Sequence, residues 1–214
     1  MPRTSPVPPR VSAPDLPPVL EPHEPTRGSD LLAASLELAG TADLAHARVE
    51  QCVLRADAES VDLTGATLLD VELPDPRIAS LRLRTSSIRR LRITGGRIGT
   101  LDLSEARVAE LELRNVRIDY LNLGAARAED VDVVRCTIRT LDLPRAELTR
   151  VRFQETRSDE LDPRGLRAKD LDLRGLDALS YLDVQSLRGA TLSPLQVQQL
   201  AAVMAAGLGI LVTD

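Results

Sequence analysis

The chain predicts an all-β parallel solenoid closed by a short C-terminal helix, and three observations carry that fold class. Between residues 61 and 173 a five-residue unit recurs without loss of phase. With its central slot at Leu63, Leu68, Leu73, Ile78, Leu83 and onward to Leu173, 19 of 23 slots hold Leu, Ile, Val or Phe. The slot before each one, from Asp62 to Asp172, is polar in all 23. Two residues before the centre, bulky side chains (Val61, Val71, Leu81, Leu91) alternate with small ones (Ala66, Pro76, Ser86, Gly96), so the full pattern repeats every ten residues. An apolar–polar–apolar triplet is a strand with two side chains in and one out, and the two residues left over suffice for a corner. The i, i+3, i+4, i+7 spacing of a helix is absent. A short period with one inward face per unit is a solenoid. Hexapeptide β-helices have a different period, and leucine-rich repeats need 20–29 residues with a helical or irregular return. Here the return segment is itself apolar every fifth residue.

The residues Asp62-Leu63-Thr64-Gly65-Ala66-Thr67-Leu68, with Ala42-Asp43-Leu44 upstream, resemble the A(D/N)Lxx unit of the pentapeptide-repeat family over roughly residues 36–178. The resemblance implies a right-handed quadrilateral β-helix with four units per coil. A 20-residue coil stacks Leu83, Leu103, Leu123 and Leu143 on one wall and Leu73, Ile93, Leu113, Val133 and Phe153 on the opposite one. The ten-residue alternation makes opposite walls alike and implies a rectangular section.

Taken in order, residues 1–29 are a first unit. Nine of the 14 prolines lie in 1–28. Proline has no amide hydrogen and a fixed φ, so neither sheet nor helix is expected there. The segment reads as a disordered tail, and PPVLEP has the composition that proline-recognising domains bind. The solenoid is expected over 30–190, about seven coils, with 30–35 as an apolar lead-in. Between Leu54 and Ala58 one residue is missing from the count, which should appear as a distorted corner. From 156 to 163 the pattern weakens, with Ser158 and Pro163 in central slots; proline cannot donate to a ladder, so a loop or bulge is expected. Residues 180–189 are irregular. In the last unit, 191–214, Ser193, Pro194 and Gln196 form a capping box with proline at the first helical position. A helix should run from Pro194 to about Ala206 and stop at Gly207. Val197, Leu200, Ala201, Met204 and Leu208 make its apolar face, which either plugs the open end of the solenoid or pairs with a second copy. The closing Ile210-Leu211-Val212 is expected to be buried.

Aromatics make up 1% of the 214 residues and Trp is absent, so an ordinary aromatic core is excluded; coils that bury side chains against one another do not need one. The net charge is −5, and Lys169 is the sole lysine beside many arginines. Cys52 and Cys136 occupy small inward slots about four coils apart, roughly 20 Å at ~4.8 Å per coil, too far for a disulfide, and read as buried filler. No continuous apolar core of a signal peptide and no run of membrane-spanning length is present, so a cytoplasmic protein is expected. The two histidines, His23 and His46, form no pair with metal-ligand spacing, and no glycine-rich phosphate loop occurs. The carboxylates fall on flat walls where nothing desolvates them. No catalytic, metal or cofactor residue is assigned, and the chain does not read as an enzyme.

What remains is surface. One coil, 81–100, carries Arg82, Arg84, Arg89, Arg90, Arg92 and Arg97 and no acid; it is either a basic girdle for phosphate or an acidic protein patch, or it pairs with acids of neighbouring coils, Asp102, Glu105, Glu110 and Glu112 above and Asp62, Asp70 and Glu72 below. Acids gather on one edge at Glu110, Glu112, Asp130 and Asp132, alternating with Arg150 and Arg152, and a second column is Asp102, Asn122, Asp142 and Asp162. These arginines and the acids at 110–132 are the candidate interaction surface. The chain reads as a non-catalytic rigid repeat scaffold for protein–protein interaction, with another protein, or a second copy through the C-terminal helix, as partner. Nucleic acid is disfavoured by the lack of stacking aromatics. The family resemblance adds an alternative, a DNA-mimicking DNA gyrase binder of the quinolone-protection type. The phase itself is testable: Leu113→Asp is expected to cost more than about 3 kcal/mol, and Glu112→Lys within about ±0.5 kcal/mol.

Overall fold

A computed structural model describes residues 5–24 and 26–212. The apolar–polar–apolar triplets form strands that wind into a parallel β-solenoid of about eight coils. The 20-residue register is direct: Leu73 lies against Ile93, Ile93 against Leu113, Leu113 against Val133 and Val133 against Phe153. On the opposite side Leu83, Leu103 and Leu123 each donate their amide to the carbonyl one layer up, at Asp102, Asn122 and Asp142, over 2.7–2.8 Å. The hydrophobic core is aliphatic apart from Phe153 and the two cysteines, and Leu63, Leu83, Ile93, Ile98 and Leu101 are almost wholly buried.

At three of the four corners the second of the two residues between triplets turns with a left-handed backbone. One such column runs through Gly65, Thr85, Glu105, Ala125 and Arg145, one through Asp70, Arg90, Glu110, Asp130, Arg150 and Asp170, and one through Asp75, Gly95, Asn115, Arg135 and Glu155. For a residue with a Cβ this conformation costs on the order of 1 kcal/mol, offset in each coil by a complete set of in-register parallel bonds. The polar slot before each leucine has a local task. The carboxylate or amide oxygen of Asp43, Asp62, Asp102, Asn122, Asp162 and Asp172 accepts the backbone amide two residues on, over 2.8–3.1 Å. These are Asx turns, and they explain why the repeat favours Asp or Asn beside leucine.

The structure departs from the sequence expectations at several places. There are about eight coils rather than seven, because strand β2 (Asp30–Leu32) is not a lead-in but part of a coil, following strand β1 (Glu21–Pro22). The early coils are short. In β3 (Ala34–Asp43) and β4 (Arg48–Asp62), Leu36 faces Leu54, an offset of 18; Arg48 faces Thr67, an offset of 19; Asp57 faces Arg77, an offset of 20. The expected missing residue shows on the side of the next coil, where the offset changes from 19 at Val53, which faces Glu72, to 20 at Asp57, which faces Arg77; a separate register shift lies at Gly40/Thr41, opposite Ala58 and Ser60. No loop interrupts 156–163. Thr156–Asp162 is a strand in register with Thr137–Asp142. Ser158 is buried there because its hydroxyl donates to the Glu160 carbonyl at 2.9 Å. Pro163 opens a turn, its carbonyl accepting from Leu166 at 2.8 Å.

The helix α1 (Pro194–Gly207) starts on the expected box, with Gln196 N–H donating to Ser193 Oγ at 3.3 Å and Ser193 N–H to Gln196 Oε1 at 2.7 Å. The same Gln196 donates from Nε2 to the carbonyls of Leu173 and Leu176 at 2.8 and 2.7 Å, tying the helix to the last full coil. The expected apolar face is not buried: of the helix only Gln196 and Leu200 are, while Val197 and Leu208 are exposed. Ile210, Leu211 and Val212 are exposed as well, contrary to expectation. The helix is anchored by Gln196 and Leu200 near its start and by Gln185, whose side chain donates to the Gly207 carbonyl at its end, with Met204 half-buried. No helix among the described residues is long and apolar enough to cross a membrane.

Candidate interaction surfaces

The arginine coil is not a free basic girdle, because most of its charges are answered within the rod. Arg90 forks onto Asp70, with Nη2 to Oδ2 at 2.6 Å and Nε on Oδ1. Arg92 reaches up to Glu112 at 2.6 Å and down to Glu72 at 3.6 Å. Arg82 lies 3.9 Å from Asp62, and Arg84 3.8 Å from both Asp102 and Glu105. Arg97 meets Asp119 at 2.9 Å. Arg89 alone of the six has no carboxylate within 4.0 Å among the described residues. The six arginines therefore lie in six different columns around the section rather than converging on one site.

The acids at 110–132 form two adjacent columns. Asp130 takes a fork from Arg150, Nε to Oδ1 and Nη2 to Oδ2 both at 2.7 Å, and Asp132 takes one from Arg152 at 3.1 and 2.8 Å. Glu112 is clamped between Arg92 and Arg114 and is 7% exposed. It is thus a buried ion-pair centre and not the tolerant surface position that its polar slot suggests. The Arg90 fork holds the Asp70 carboxyl below the usual carboxylate range, and the Asp15 amide adds to it. Burial by itself would raise Asp130, but the Arg150 fork and the Arg10 amide outweigh it and hold the group low. Arg164 and Arg174 do the same for Asp162 and Asp172. In the second acidic column Tyr120 donates to Asp142 at 2.5 Å, which pushes the phenol up to about 12. Cys52 and Cys136 are buried free thiols, both pushed up by desolvation. Among the described residues no group of three His, Cys, Asp or Glu could hold a metal ion.

The N-terminal segment is where sequence reasoning missed most. Residues 5–20 carry no helix or strand, yet they run along the outside of the rod. Val7, Arg10, Ser12 and Asp15 donate their backbone amides to Asp170, Asp130, Glu110 and Asp70 over 2.8–3.0 Å. Gln51 then donates to the Asp15 carbonyl at 3.0 Å, and Glu21–Pro22 pairs with Ala34 and Ser35 as a short parallel strand. This differs from the solvated tail that the proline content suggests. A signal was present, since prolines interrupt the amides of residues 6–14 and acids recur at 70, 110, 130 and 170 in one column, but nothing local links the two.

No family model and no curated protein matches the chain. Among solved structures it is similar to a trypsin-treated form of QnrB1, a plasmid-mediated fluoroquinolone resistance protein, at 15% identity over 92% of this chain and 99% of that one, with a TM-score of 0.39. A second trypsin-treated form of QnrB1 gives 15% identity, 90% and 96% coverage and a TM-score of 0.26.

Proposed function

We propose that the chain is a non-catalytic rigid scaffold that presents its C-terminal end to a second protein, and that this partner is another copy of the chain. The observation that carries the reading is the uncovered apolar surface at that end. Leu195, Val197, Val203, Leu208, Ile210 and Leu211 are all at least 44% exposed, with Leu208 at 79% and Leu211 at 90%, whereas between residues 33 and 178 no large apolar side chain is exposed. A bare solenoid end needs a cap, and α1 supplies one through Gln196 and Leu200. The remaining stripe is free for a partner, and a self-complementary helix face is the simplest way to cover it. Sedimentation over a concentration series tests this: the intact chain is expected as a dimer at micromolar concentration and Val203→Glu as a monomer with unchanged circular dichroism. A monomer at every concentration overturns the homodimer.

A second reading rests on the wall that carries Asp102, Asn122, Asp142 and Asp162. There Asp142 takes a neutral phenol rather than an arginine, so the wall keeps net negative charge, as a DNA-mimicking DNA gyrase binder requires. A supercoiling assay with and without a quinolone decides it, and no change in gyrase activity at micromolar protein removes this reading.

A further inference from the structure

We propose that the left-handed corner column from Gln51 to Asp170 is a recognition groove for an extended, proline-rich chain, and that residues 7–15 are its ligand in cis. This deepens the scaffold reading at the edge that carries Glu110 and Asp130.

A polyproline II chain rises about 3.1 Å per residue with three residues per turn, and parallel strands stack about 4.8 Å apart. One turn of such a chain, roughly 9.3 Å, therefore spans two coils, roughly 9.6 Å. The contacts follow this match. Three residues separate Val7 from Arg10 and carry the chain from Asp170 to Asp130, across the Arg150 coil. Two residues take it from Asp130 to the adjacent Glu110, and three more to Asp70, across the Arg90 coil. Eight residues cover five coils, about 3.0 Å each if coils rise ~4.8 Å.

The chemistry is as specific as the spacing. Each amide that meets an acid belongs to a residue other than proline, and Pro8, Pro9 and Pro14 lie between them, with Pro6 just before, without a donor to satisfy. The carboxylates are pre-aimed. At Asp70 and at Asp130, 60 residues apart, the arginine one coil up forks onto both oxygens, and the remaining lone pair of Oδ1 takes the strap amide. Arg90 and Arg150, the two positive members of the column, receive no strap amide and serve only to hold their acids. The groove thus reads backbone amides at fixed intervals, and the prolines keep the intervening chain extended. Burial agrees: Pro14 is buried against the rod, and Val7, Pro9, Val11 and Leu16 are half-buried. A ligand held this way is displaceable, because its contacts are a few charge-assisted bonds and one shallow apolar face.

Proline substitution provides a matched test in the intact chain, since it deletes an amide without disturbing an extended backbone. Hydrogen exchange read residue by residue is expected to show protected amides at 7, 10, 12 and 15, with Val11 and Ala13 exchanging at least tenfold faster. Ser12→Pro together with Asp15→Pro should release the strap and accelerate exchange at 7 and 10 at least tenfold, whereas Ala13→Pro should leave both protected. A fluorescent synthetic peptide of residues 5–20 should then bind the Ser12→Pro/Asp15→Pro protein at least tenfold more tightly than the unmodified chain. Unprotected amides in the unmodified chain overturn the cis contact. A peptide that binds neither protein, with the strap shown to be released, overturns the groove while leaving the C-terminal dimer to stand or fall by sedimentation. Dimers lost on Ser12→Pro/Asp15→Pro substitution would mean that the strap lies on a second copy, which overturns the cis assignment.

Discussion

Two edges of the rod are built from the same residue types and reach opposite electrostatic states. Along the strap edge the sign changes at every layer but the step from Glu110 to Asp130, in the order Asp70, Arg90, Glu110, Asp130, Arg150, Asp170, and guanidinium forks onto carboxylate. Along the edge through Arg77, Arg97 and Arg117 the sign repeats in three successive layers in direct register. There only Arg97 finds an acid, Asp119 at 2.9 Å, and Arg77 and Arg117 point into solvent with no carboxylate within 4.0 Å among the described residues. In a parallel in-register stack, the neighbour that decides a charge's fate is the residue one coil away. Net charge along the chain is a poor guide to it.

The comparison depends on the phase assignment, and the largest expected effect tests that. Leu113→Asp places an unpaired charge in a dry aliphatic stack and should cost more than about 3 kcal/mol in denaturant melts. Glu112→Lys, one residue earlier, is now expected to cost about 1–3 kcal/mol, since it leaves Arg92 and Arg114 facing a third cation in a site made for a carboxylate. Equal and small costs for both would break the phase and with it both edges.

The next step compares the edges directly. Arg150→Ala removes the fork from Asp130, which is 9% exposed, and should cost about 1–3 kcal/mol, the range for hydrogen bonds to a charged group. Arg77→Ala, on the other edge, should stay within about ±0.5 kcal/mol. A pH titration separates them again. Asp70 and Asp130 have folded pKa values below their unfolded ones, so their stabilisation is complete above about pH 4 and is lost as pH falls through the lower folded values. Melts of the unmodified chain should lose stability in that acid window and Arg150→Ala should lose less there, because part of the linkage is already gone. An unchanged pH slope would mean that the fork does not set the carboxylate.

Much of this was legible in the chain. The apolar slots mark the walls, and a 20-residue offset is enough to put Arg92 beside Glu112 and Arg90 beside Asp70. The turn role of Asp62 and Asp102 was not legible, since a polar outward slot says nothing of which amide its oxygen accepts. Nor was the burial of Glu112, which comes from two arginines closing over it. The strap was hidden for a deeper reason. Proline content reports what a segment cannot do with itself, no helix and no ladder, and is silent about acceptors 55 to 163 residues away. The helix face misled in the opposite sense: a stripe read from the sequence does not say what it packs against, and of the expected face Leu200 is buried and Met204 half-buried while Val197 and Leu208 are exposed.

The smallest effect is the sharpest test of the layer rule. If sign order alone separates the two edges, Arg117→Glu should turn the second into a copy of the first. The new carboxylate would sit in register with Arg97 below it, replacing a like-charged neighbour with an opposite one. Cross-strand pairs of this kind are worth roughly 0.2–1 kcal/mol, and like charges directly opposite cost about as much; on an exposed edge, with salt screening, the low end applies. Arg117→Glu should therefore stabilise the chain by about 0.2–0.5 kcal/mol at low ionic strength, with the gain shrinking as salt is added. The competing pull of Asp119 on Arg97 limits the gain, so Arg117→Glu with Asp119→Ala should show it more fully. A salt-independent loss would mean that the left-handed corners and not the sign order set the difference between the edges.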